Sequence, residues 1–368
     1  MTEVAHAELL DSVNKVLDAV VDRTALQDFA NGRSDLELRL WQQAGELGWL
    51  GVGLPEEQSG LGLGNQGLTN LHQALGAHLA PGPYVSSFSA WQTLSECADE
   101  ALKAAVFSTP VLGAVCVPAT PMASRYEGLH LKDGRVSGHM DHLLGSAWSP
   151  WALVPVQTES GGPVWAMVAI DGELASLTSQ PMWDLTRGLC RLTCAGASAT
   201  LLQQPFDGVA NTLCAQLNLA LAFDCVGAAA ALLGETIEYM KGRSQFDRPI
   251  ASFQALKHRV AKMRVELEMG QHAAAHALLM GDASESERMM WAAMAKAQAS
   301  DTYAWIAGEC VQLHGGVGYT WEFNCHLHLK RARLNQALVG SSEQLLDRAA
   351  SILAGPVPVS GSFLEMAP

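Results

Sequence analysis

Residues 242–255 have the sequence GRSQFDRPIASFQA, and residues 312–320 have the sequence QLHGGVGYT. In the first stretch an arginine closes a helical segment, and Pro249 forces a turn before the next helix begins. Such an arginine can hold a phosphate through two parallel hydrogen bonds. In the second stretch, closely spaced glycines leave backbone N–H groups open to a ligand. Each stretch also has a purely structural interpretation, as a helix C-terminus or an ordinary turn.

The chain before these stretches divides into two zones of different composition. Residues 1–108 are predicted to form a helical domain, because Leu36, Leu40, Ala44 and Leu47 are spaced as one apolar helix face. Residues 109–205 alternate short Val-rich runs with Gly and Asp turns. This alternation predicts the strands of a small β domain.

From residue 206 onwards the sequence returns to a helical pattern. Residues 206–352 are predicted to form a second helical domain, whose Ala-rich segments allow helices to approach closely. Residues 353–368 contain several Gly and Pro and are predicted to be an extended or frayed tail. The residues predicted to form a buried helical stripe are Leu256, Val260, Met263 and Leu267.

The charge balance of the chain restricts its ligands. Lys and Arg number 23 and Asp and Glu number 37, so the formal net charge is −14. An acidic chain without a basic block is a poor candidate for nucleic acid, and no nucleic-acid partner is predicted. An anionic ligand would therefore have to meet a local cluster of Arg or Lys.

Cysteine spacing and hydropathy indicate the compartment. The eight cysteines contain neither a CxxC pair nor zinc spacing, which is typical of reduced core residues. The N-terminal sequence is polar and acidic, unlike a signal or transit peptide. The longest apolar runs, such as residues 226–233, are shorter than the roughly 20 residues of a membrane span. We therefore predict a soluble cytoplasmic protein without a membrane span.

Several polar residues elsewhere invite a functional interpretation. His139 and His142 are three residues apart, but on a strand they would point to opposite faces, so no metal site is predicted. His326 and His328 are predicted to face solvent or an interface. A cationic cluster follows them, which would face CoA phosphates, carboxylates of a partner, or solvent. This cluster consists of Lys330, Arg331 and Arg333.

Together, the two stretches quoted first resemble two motifs of the acyl-CoA dehydrogenase family. The RxxFGxPI…Q motif is matched by Arg243, Phe246, Pro249-Ile250 and Phe253-Gln254, with Asp247 in place of the usual Gly. The QxxGGxGF/Y motif is matched by Gln312, Gly315-Gly316 and Gly318-Tyr319. The resemblance extends to residues 48–62 and 330–342, and so covers nearly the whole chain.

The resemblance implies a fold, a cofactor and a reaction. The fold is α+β, with an N-terminal all-α domain, a β-barrel-like middle domain and a C-terminal four-helix bundle. The cofactor is FAD, and the substrate is an acyl-CoA. A glutamate removes a proton from Cα while a hydride passes from Cβ to the flavin. Electron-transfer flavoprotein or a similar acceptor would then reoxidise the flavin.

The resemblance also assigns cofactor contacts residue by residue. In the family, the core of both motifs reaches across a dimer to the adenosine diphosphate end of the neighbouring FAD. The matching residues of this chain are Arg243, Phe246, Ile250, Phe253, Gln254, Gln312, Leu313, Gly315 and Gly316.

Both positions at which the family places its catalytic base lack an acid. By ungapped counting, Val339 stands where most members have Glu, and Leu217 stands near the alternative position. No acid lies between Asp207 and Asp224, so an error of a few residues does not change this result. Valine and leucine cannot accept a proton, and the chain is predicted to contain no catalytic residue.

The segments that line a subunit's own flavin in the family are altered as well. Residues 117–124 lack the acid and the Gly-Ser-Asp of the EPxAGSD segment. In residues 137–144, His142 replaces the Trp, and Leu144 replaces the Thr that faces the flavin. The residues that contact the FAD of the neighbouring subunit are thus better matched to the family motifs than the residues that contact the subunit's own FAD.

These departures favour the non-catalytic subunit of a heteromeric acyl-CoA dehydrogenase. A second acyl-CoA dehydrogenase-like subunit would supply the glutamate, as in some α2β2 bacterial enzymes that oxidise CoA thioesters of steroid side chains. Two alternatives stay open: a self-sufficient homomeric enzyme with a displaced base, and a flavin-free scaffold protein. The acids considered as displaced bases are Glu266, Glu268 and Glu343.

Overall fold

The computed structural model describes residues 2–58, 60–107, 113–122, 128–159 and 161–354. Helices form the first part of the chain, as predicted. Leu36, Leu40 and Ala44 are buried, but Leu47 is 45% exposed because the helix ends at Glu46. The helices are α1 (Thr2–Val20), α2 (Arg23–Ala30), α3 (Leu36–Glu46), α4 (Gly64–Ala77), α5 (Tyr84–Cys97) and α6 (Glu100–Phe107).

A seven-stranded sheet forms the middle of the chain. Its order is β1-β3-β2-β4-β5-β7-β6, and additional β1–β4 and β3–β7 pairings curl it into a barrel-like layer around an apolar interior. The strands are β1 (Val115–Pro118), β2 (Leu129–Lys132), β3 (Arg135–Leu144), β4 (Trp151–Thr158), β5 (Pro163–Ala169), β6 (Ala175–Gln180) and β7 (Leu189–Leu201). In the part of the chain described, no group of three or more His, Cys, Asp or Glu is arranged to hold a metal ion.

A helical bundle follows the sheet. Three long helices alternate in direction, and two shorter ones pack beside the third. The helices are α7 (Phe206–Gly242), α8 (Gln254–Leu279), α9 (Glu285–His314), α10 (Cys325–Ala337) and α11 (Ser342–Ala354). A short hairpin of β8 (Ser244–Gln245) and β9 (Arg248–Pro249) joins α7 to α8. The predicted tail lies, from residue 355 onwards, outside the described residues.

Helix α7 is longer and more apolar than the sequence analysis expected. By length and composition it could cross a membrane, but 83% of its apolar window is buried inside the protein. A helix that is apolar all round is buried in a core. Helices α7 and α4 approach each other closely. A Cβ on Gly76 would lie 2.2 Å from the main-chain oxygen of Asp224, and a Cβ on Gly227 would lie 2.0 Å from the main-chain oxygen of Gln73. Helix α7 is therefore the central core helix of the molecule.

The buried stripe predicted for α8 is only partly correct. Met263 and Leu267 are fully buried, whereas Leu256 and Val260 are half-buried. The opposite side of the helix exposes Val265 and Met269. Helix α8 thus lies on the outside of the bundle and packs along one narrow face.

A buried ionic network joins the sheet to both helical regions. Arg187, before β7, donates to Asp224 of α7 at 2.9 Å, and Asn335 of α10 donates to the same carboxylate at 2.8 Å. Arg331 donates to the Thr186 hydroxyl at 2.9 Å and is 1% exposed. Burial alone would raise the pKa of Asp224, but the two guanidinium groups hold it below its usual value. Arg331 also donates to the main-chain oxygen of Ala80, between α4 and α5, at 3.1 Å, so the network links all three parts of the chain.

Two predictions about α10 are wrong for the same reason. Arg331 does not face solvent or a ligand, because it belongs to the ionic network. His326 and His328 are both buried, and His328 pairs through Nδ1 with the Tyr303 hydroxyl at 2.8 Å. One side of helix α10 is enclosed by neighbouring elements, so Arg331 and His328 have partners inside the protein, whereas Arg333 is exposed.

Candidate cofactor-binding site

The two sequence motifs lie at the same end of the helical bundle. Helix α7 ends at Gly242, α8 begins at Gln254, and α9 ends at His314. Because these helices alternate in direction and pack on one another, the three ends come together. The hairpin between α7 and α8 and the glycine loop after α9 form the surface of this end.

The hairpin presents an exposed phenylalanine. Ser244 pairs with Pro249 and Gln245 with Arg248, which leaves a two-residue turn with φ of 53° at Phe246 and 63° at Asp247. Positive φ at both central positions gives the twist of the commonest tight hairpins. Asp tolerates this region better than most residues, which explains how it replaces the usual Gly. The Phe246 side chain is 87% exposed.

Arginine and aromatic side chains surround the hairpin. The Arg248 guanidinium lies 4.1 Å from the ring centroid of Phe253, and Phe246 meets the same ring edge-on at 6.2 Å. Arg243 is exposed at the C-terminus of α7 and, among the described residues, has no carboxylate within salt-bridge distance. Gln254 is exposed as the first residue of α8, whereas Ile250 is half-buried against the bundle core.

The glycine loop offers an open backbone. Gln312 is exposed on the last turn of α9, and Gly315 ends that helix with a φ of 67°. A Cβ on Gly315 or Gly316 would meet no atom within 4 Å, so both backbones are accessible. The Leu313 side chain packs in the bundle core and is 8% exposed. The Leu313 side chain is therefore not available to a ligand.

Tyr239 connects the two motifs, and the sequence analysis missed it. Its main-chain oxygen accepts from the Arg243 N–H at 2.9 Å, and its hydroxyl donates to the His314 oxygen at 3.3 Å. The Tyr239 and His314 rings stack at 4.2 Å, and Phe323 meets His314 edge-on at 4.7 Å. The position of Tyr239, one helical turn before Arg243, is the only sequence signal that could have pointed to it.

The His314 side chain is held within this stack by a hydrogen bond. Burial lowers its pKa, and Nδ1 donates to the Cys310 oxygen at 2.9 Å. The glycine loop therefore begins directly after His314, which is held in place by two rings and two hydrogen bonds.

The two expected base positions are apolar and buried. Leu217 is fully buried in α7, and Val339 is 6% exposed between α10 and α11. Val339 has a φ of 66°, in the left-handed region that a β-branched residue rarely adopts. Its N–H donates to the Ala119 oxygen at 2.7 Å, which holds the turn against the segment after β1.

A cleft of about 560 Å³ lies beside Val339. Thr120 and Met122 form one wall, and residues of α11 form the other. Asp347 and Glu343 are both exposed, and Asp347 lines this cleft, whereas Glu343, one turn earlier, does not. Glu268 is paired with Arg264 on α8. Asp347 is thus a carboxylate near the base position that the sequence analysis did not consider.

In the segments that the resemblance matches to own-flavin contacts, two polar side chains are engaged within the sheet: Asp141 pairs with Arg191, and Ser137 accepts from the Gly196 N–H at 3.0 Å. Val117 and Leu144 are buried. His142 is exposed at an irregularity of β3, with a φ of 59°, and its N–H donates to Gln180 at 2.9 Å. Ala123 and Ser124 of the first segment lie outside the described residues.

Two family models match the chain. The acyl-CoA dehydrogenase N-terminal domain matches residues 3–109, and the acyl-CoA dehydrogenase C-terminal domain matches residues 208–353. The chain belongs to the acyl-CoA dehydrogenase family. Its fold is the α+β fold of that family, as the sequence analysis expected from the resemblance.

Individual acyl-CoA dehydrogenases are also similar to this chain in sequence. Acyl-CoA dehydrogenase IpdE2 of Mycobacterium tuberculosis is 38% identical over 213 residues, which cover 56% of this chain and 63% of that protein. The chain spans about 43% to 63% of the length of the first curated relatives that it matches.

Two solved structures have closely similar folds. The Tcur3481-Tcur3483 steroid ACAD variant superposes with a TM-score of 0.86 at 22% identity and covers 96% of this chain and 99% of that chain. The ChsE4-ChsE5 complex from Mycobacterium tuberculosis gives a TM-score of 0.83 at 23% identity, with 96% and 98% coverage. At this identity the likeness concerns the fold of these acyl-CoA dehydrogenases.

Proposed function

We propose that this chain is the non-catalytic subunit of a heteromeric, FAD-dependent acyl-CoA dehydrogenase. The single observation that carries the proposal is the contrast between its two half-sites. Val339 and Leu217, at the base positions, are apolar and buried. The bundle end with Arg243 and the glycine loop keeps both motifs on one accessible surface.

The bundle end suits the adenosine diphosphate part of FAD. Arg243 offers an unneutralised guanidinium for a diphosphate, and the open backbone at Gly315 and Gly316 admits a closely approaching ligand. Phe246, Arg248 and Phe253 add planar groups against which a base can stack.

The division of labour follows from these contacts. FAD, when bound, supplies the hydride acceptor for the bond between Cα and Cβ of the acyl-CoA. In this chain, Arg243 neutralises and orients the diphosphate, and Gln312 and the loop after it fix the adenosine end. Phe246 shields the adenosine end of FAD from water. The proton from Cα goes to a glutamate of the second subunit, because this chain has no acid at Val339 or Leu217.

The substrate and the acceptor are part of the same proposal. The two structures of similar fold are named as a steroid ACAD and as a two-protein ChsE4-ChsE5 complex, which supports a steroid side-chain CoA thioester and a heteromeric assembly. We assign electron-transfer flavoprotein or a similar protein as the acceptor, and the cytoplasm as the location. The cysteines are free thiols, which agrees with a reducing compartment.

The test is activity from co-expressed chains. The partner to be tested is an acyl-CoA dehydrogenase chain that has Glu before its Gly-Thr-Ser turn, sought first among the genes next to the gene of this chain. We expect acyl-CoA-dependent dye reduction by the pair, none by this chain alone, and loss of activity when the partner's glutamate is replaced by Gln. Full activity of this chain alone would contradict the proposal.

A second candidate function is favoured by one observation. Asp347 lines the cleft beside Val339, so a homomeric enzyme with a displaced base would use Asp347 rather than Glu343. A flavin-free scaffold has less support, because a scaffold has no use for an accessible glycine loop beside an unpaired arginine.

A further inference from the structure

Arg348 places a cation in the wall of the cleft beside Val339. It lies on α11, is half-buried, and lines this cleft of about 560 Å³. Its guanidinium donates to the Met122 sulfur at 2.9 Å. Among the described residues, no carboxylate lies within salt-bridge distance of Arg348. The proposed function gives this cation no role.

Two uncharged sulfur atoms are the neighbours of the Arg348 guanidinium. Cys214 of α7 is fully buried, and burial raises the pKa of its thiol to about 12, although the nearby Arg348 opposes this shift. The thiol is therefore uncharged at neutral pH. The Met122 thioether carries no charge, and both sulfurs are weak hydrogen-bond acceptors. Neither sulfur neutralises Arg348, in a chain whose formal net charge is −14.

Most other side chains that line the cleft are uncharged. Met122, Val339 and Leu345 are apolar, and Thr120 and Gln344 are polar. The volume of the cleft lies within the range of roughly 300–1,000 Å³ that is typical of small-molecule pockets. A lining that is largely apolar, with one half-buried guanidinium, suits a small molecule that has an apolar body and a negative charge.

Buried hydrogen bonds hold the walls of the cleft in place. Lys296 of α9 is fully buried and donates to the main-chain oxygens of Gln336 at 3.0 Å and Gly340 at 2.8 Å. The Val339 N–H donates to the Ala119 oxygen at 2.7 Å. The turn between α10 and α11 is thereby fixed both to α9 and to the segment after β1. A pocket with fixed walls needs little ordering when a ligand binds.

The charges of the lining favour a singly charged ligand. Of the residues described, Arg348 is the one cation that lines the cleft, and the exposed Asp347 is the one acid. A phosphate group carries about two negative charges at neutral pH and would be repelled by Asp347. A carboxylate carries one charge, and its two oxygens match a guanidinium through two parallel hydrogen bonds.

We propose that the cleft beside Val339 binds a carboxylic acid with an apolar body, and that Arg348 holds its carboxylate. This inference rests on the proposed function, because a cleft without a catalytic base binds its ligand but does not oxidise it. Arg348 belongs to none of the motifs that the sequence analysis matched to the family. The site is therefore additional to the proposed FAD contacts at the bundle end.

The experiment measures binding of octanoate by calorimetry, both to the complex with the glutamate-bearing chain and to this chain alone. Octan-1-ol has the same apolar body without the charge, and octyl phosphate has a larger charge. The variants are R348Q and R348K, and R348K keeps the test valid if R348Q does not fold. The matched control is R33Q, which removes an exposed arginine outside the cleft. Melting of each variant is measured first.

The expected result is a dissociation constant for octanoate that is about tenfold higher in R348Q, because a charge-assisted contact is lost. R348K should fall between R348Q and the original chain, and R33Q should not differ from the original chain. Octan-1-ol should bind the original chain more weakly than octanoate does. The inference is overturned if octanoate does not bind, if R348Q binds it within about twofold of the original chain, or if octyl phosphate binds more tightly than octanoate.

Failure of the proposed function gives a different result. Acyl-CoA-dependent dye reduction by this chain alone, lost in D347N, would show that the cleft is an active site. The proposed function would then be wrong, and the inference would fall with it. Activity of the pair alone, together with equal octanoate binding by R348Q and the original chain, would overturn only the inference about Arg348.

Discussion

The Tyr239 hydroxyl donates a hydrogen bond to the main-chain oxygen of His314 at 3.3 Å, and the two rings stack 4.2 Å apart. This contact joins the end of α7 to the end of α9, the helices that deliver the two cofactor motifs. The stacked pair of Tyr239 and His314, with its hydrogen bond, therefore orients the glycine loop relative to Arg243.

Substitutions of Tyr239 separate the stack from the hydrogen bond. Y239L removes both, and we expect FAD to dissociate from the complex about tenfold faster, because the loop loses its support. Y239F keeps the stack and should recover most of the retention. The measurement is the return of flavin fluorescence after dilution. Equal dissociation rates for Y239L and the original chain would show that the stack does not position the loop.

Arg243 should contribute directly to FAD retention. R243A removes a charge-assisted contact worth about 1.5–3 kcal/mol, or roughly 10- to 100-fold in the FAD dissociation constant of the complex. R243K should recover part of this loss, because Lys keeps the charge without the paired donors. The control is R33A, because Arg33 is an exposed arginine that lies far from Arg243 in the sequence. Unchanged flavin content in R243A would remove Arg243 from the site.

The candidate displaced base is tested by D347N. If the partner supplies the base, turnover of the complex should change less than about twofold, since Asp347 takes no proton. A base contributes about 10² to 10⁴ in rate, so a hundredfold loss in D347N with unaltered FAD content would favour the homomeric alternative.

Acidification should destabilise the chain through two buried histidines. Burial lowers the pKa of His72 to about 4 and that of His328 to about 3. The unfolded chain takes up these protons below a pH of about 6.5, whereas the folded chain does not, so stability falls as the pH drops from 6.5 towards 4. Each histidine adds about 1.4 kcal/mol per pH unit to this loss.

Urea unfolding at several pH values measures this dependence. H72L should lower the slope between pH 6 and 4.5 by the contribution of one fully buried histidine, about 1.4 kcal/mol per pH unit, because that proton uptake on unfolding is gone. An unaltered slope in H72L would assign the acid sensitivity to other groups.

The buried ionic network should be costly to break. R187M leaves Asp224 in the core with one guanidinium fewer, and we expect a loss of about 3–5 kcal/mol in the free energy of unfolding. K15M, which breaks an exposed pair with Asp11, should cost less than about 1 kcal/mol. A cost for R187M as small as that for K15M would show that the network does not hold the three regions together.

The sequence was sufficient to predict the order of a helical region, a β region and a second helical region. Apolar spacing identified α3, and turn residues identified the strands. The sequence analysis did not foresee the enclosure of Arg331 and His328, because their partners Thr186 and Tyr303 lie far away in the chain. For the same reason it missed Asp347, which reaches the cleft beside Val339 only through the packing of α11. The positions of these side chains depend on long-range contacts, which no local sequence pattern contains.

The most direct test of the account is flavin stoichiometry. Visible absorbance of this chain, purified alone and then with the co-expressed glutamate-bearing chain, gives the FAD content per polypeptide. The account predicts a colourless or aggregated protein alone, and about one FAD per two chains in the complex. A soluble yellow protein with one FAD per chain by itself would contradict the half-site account.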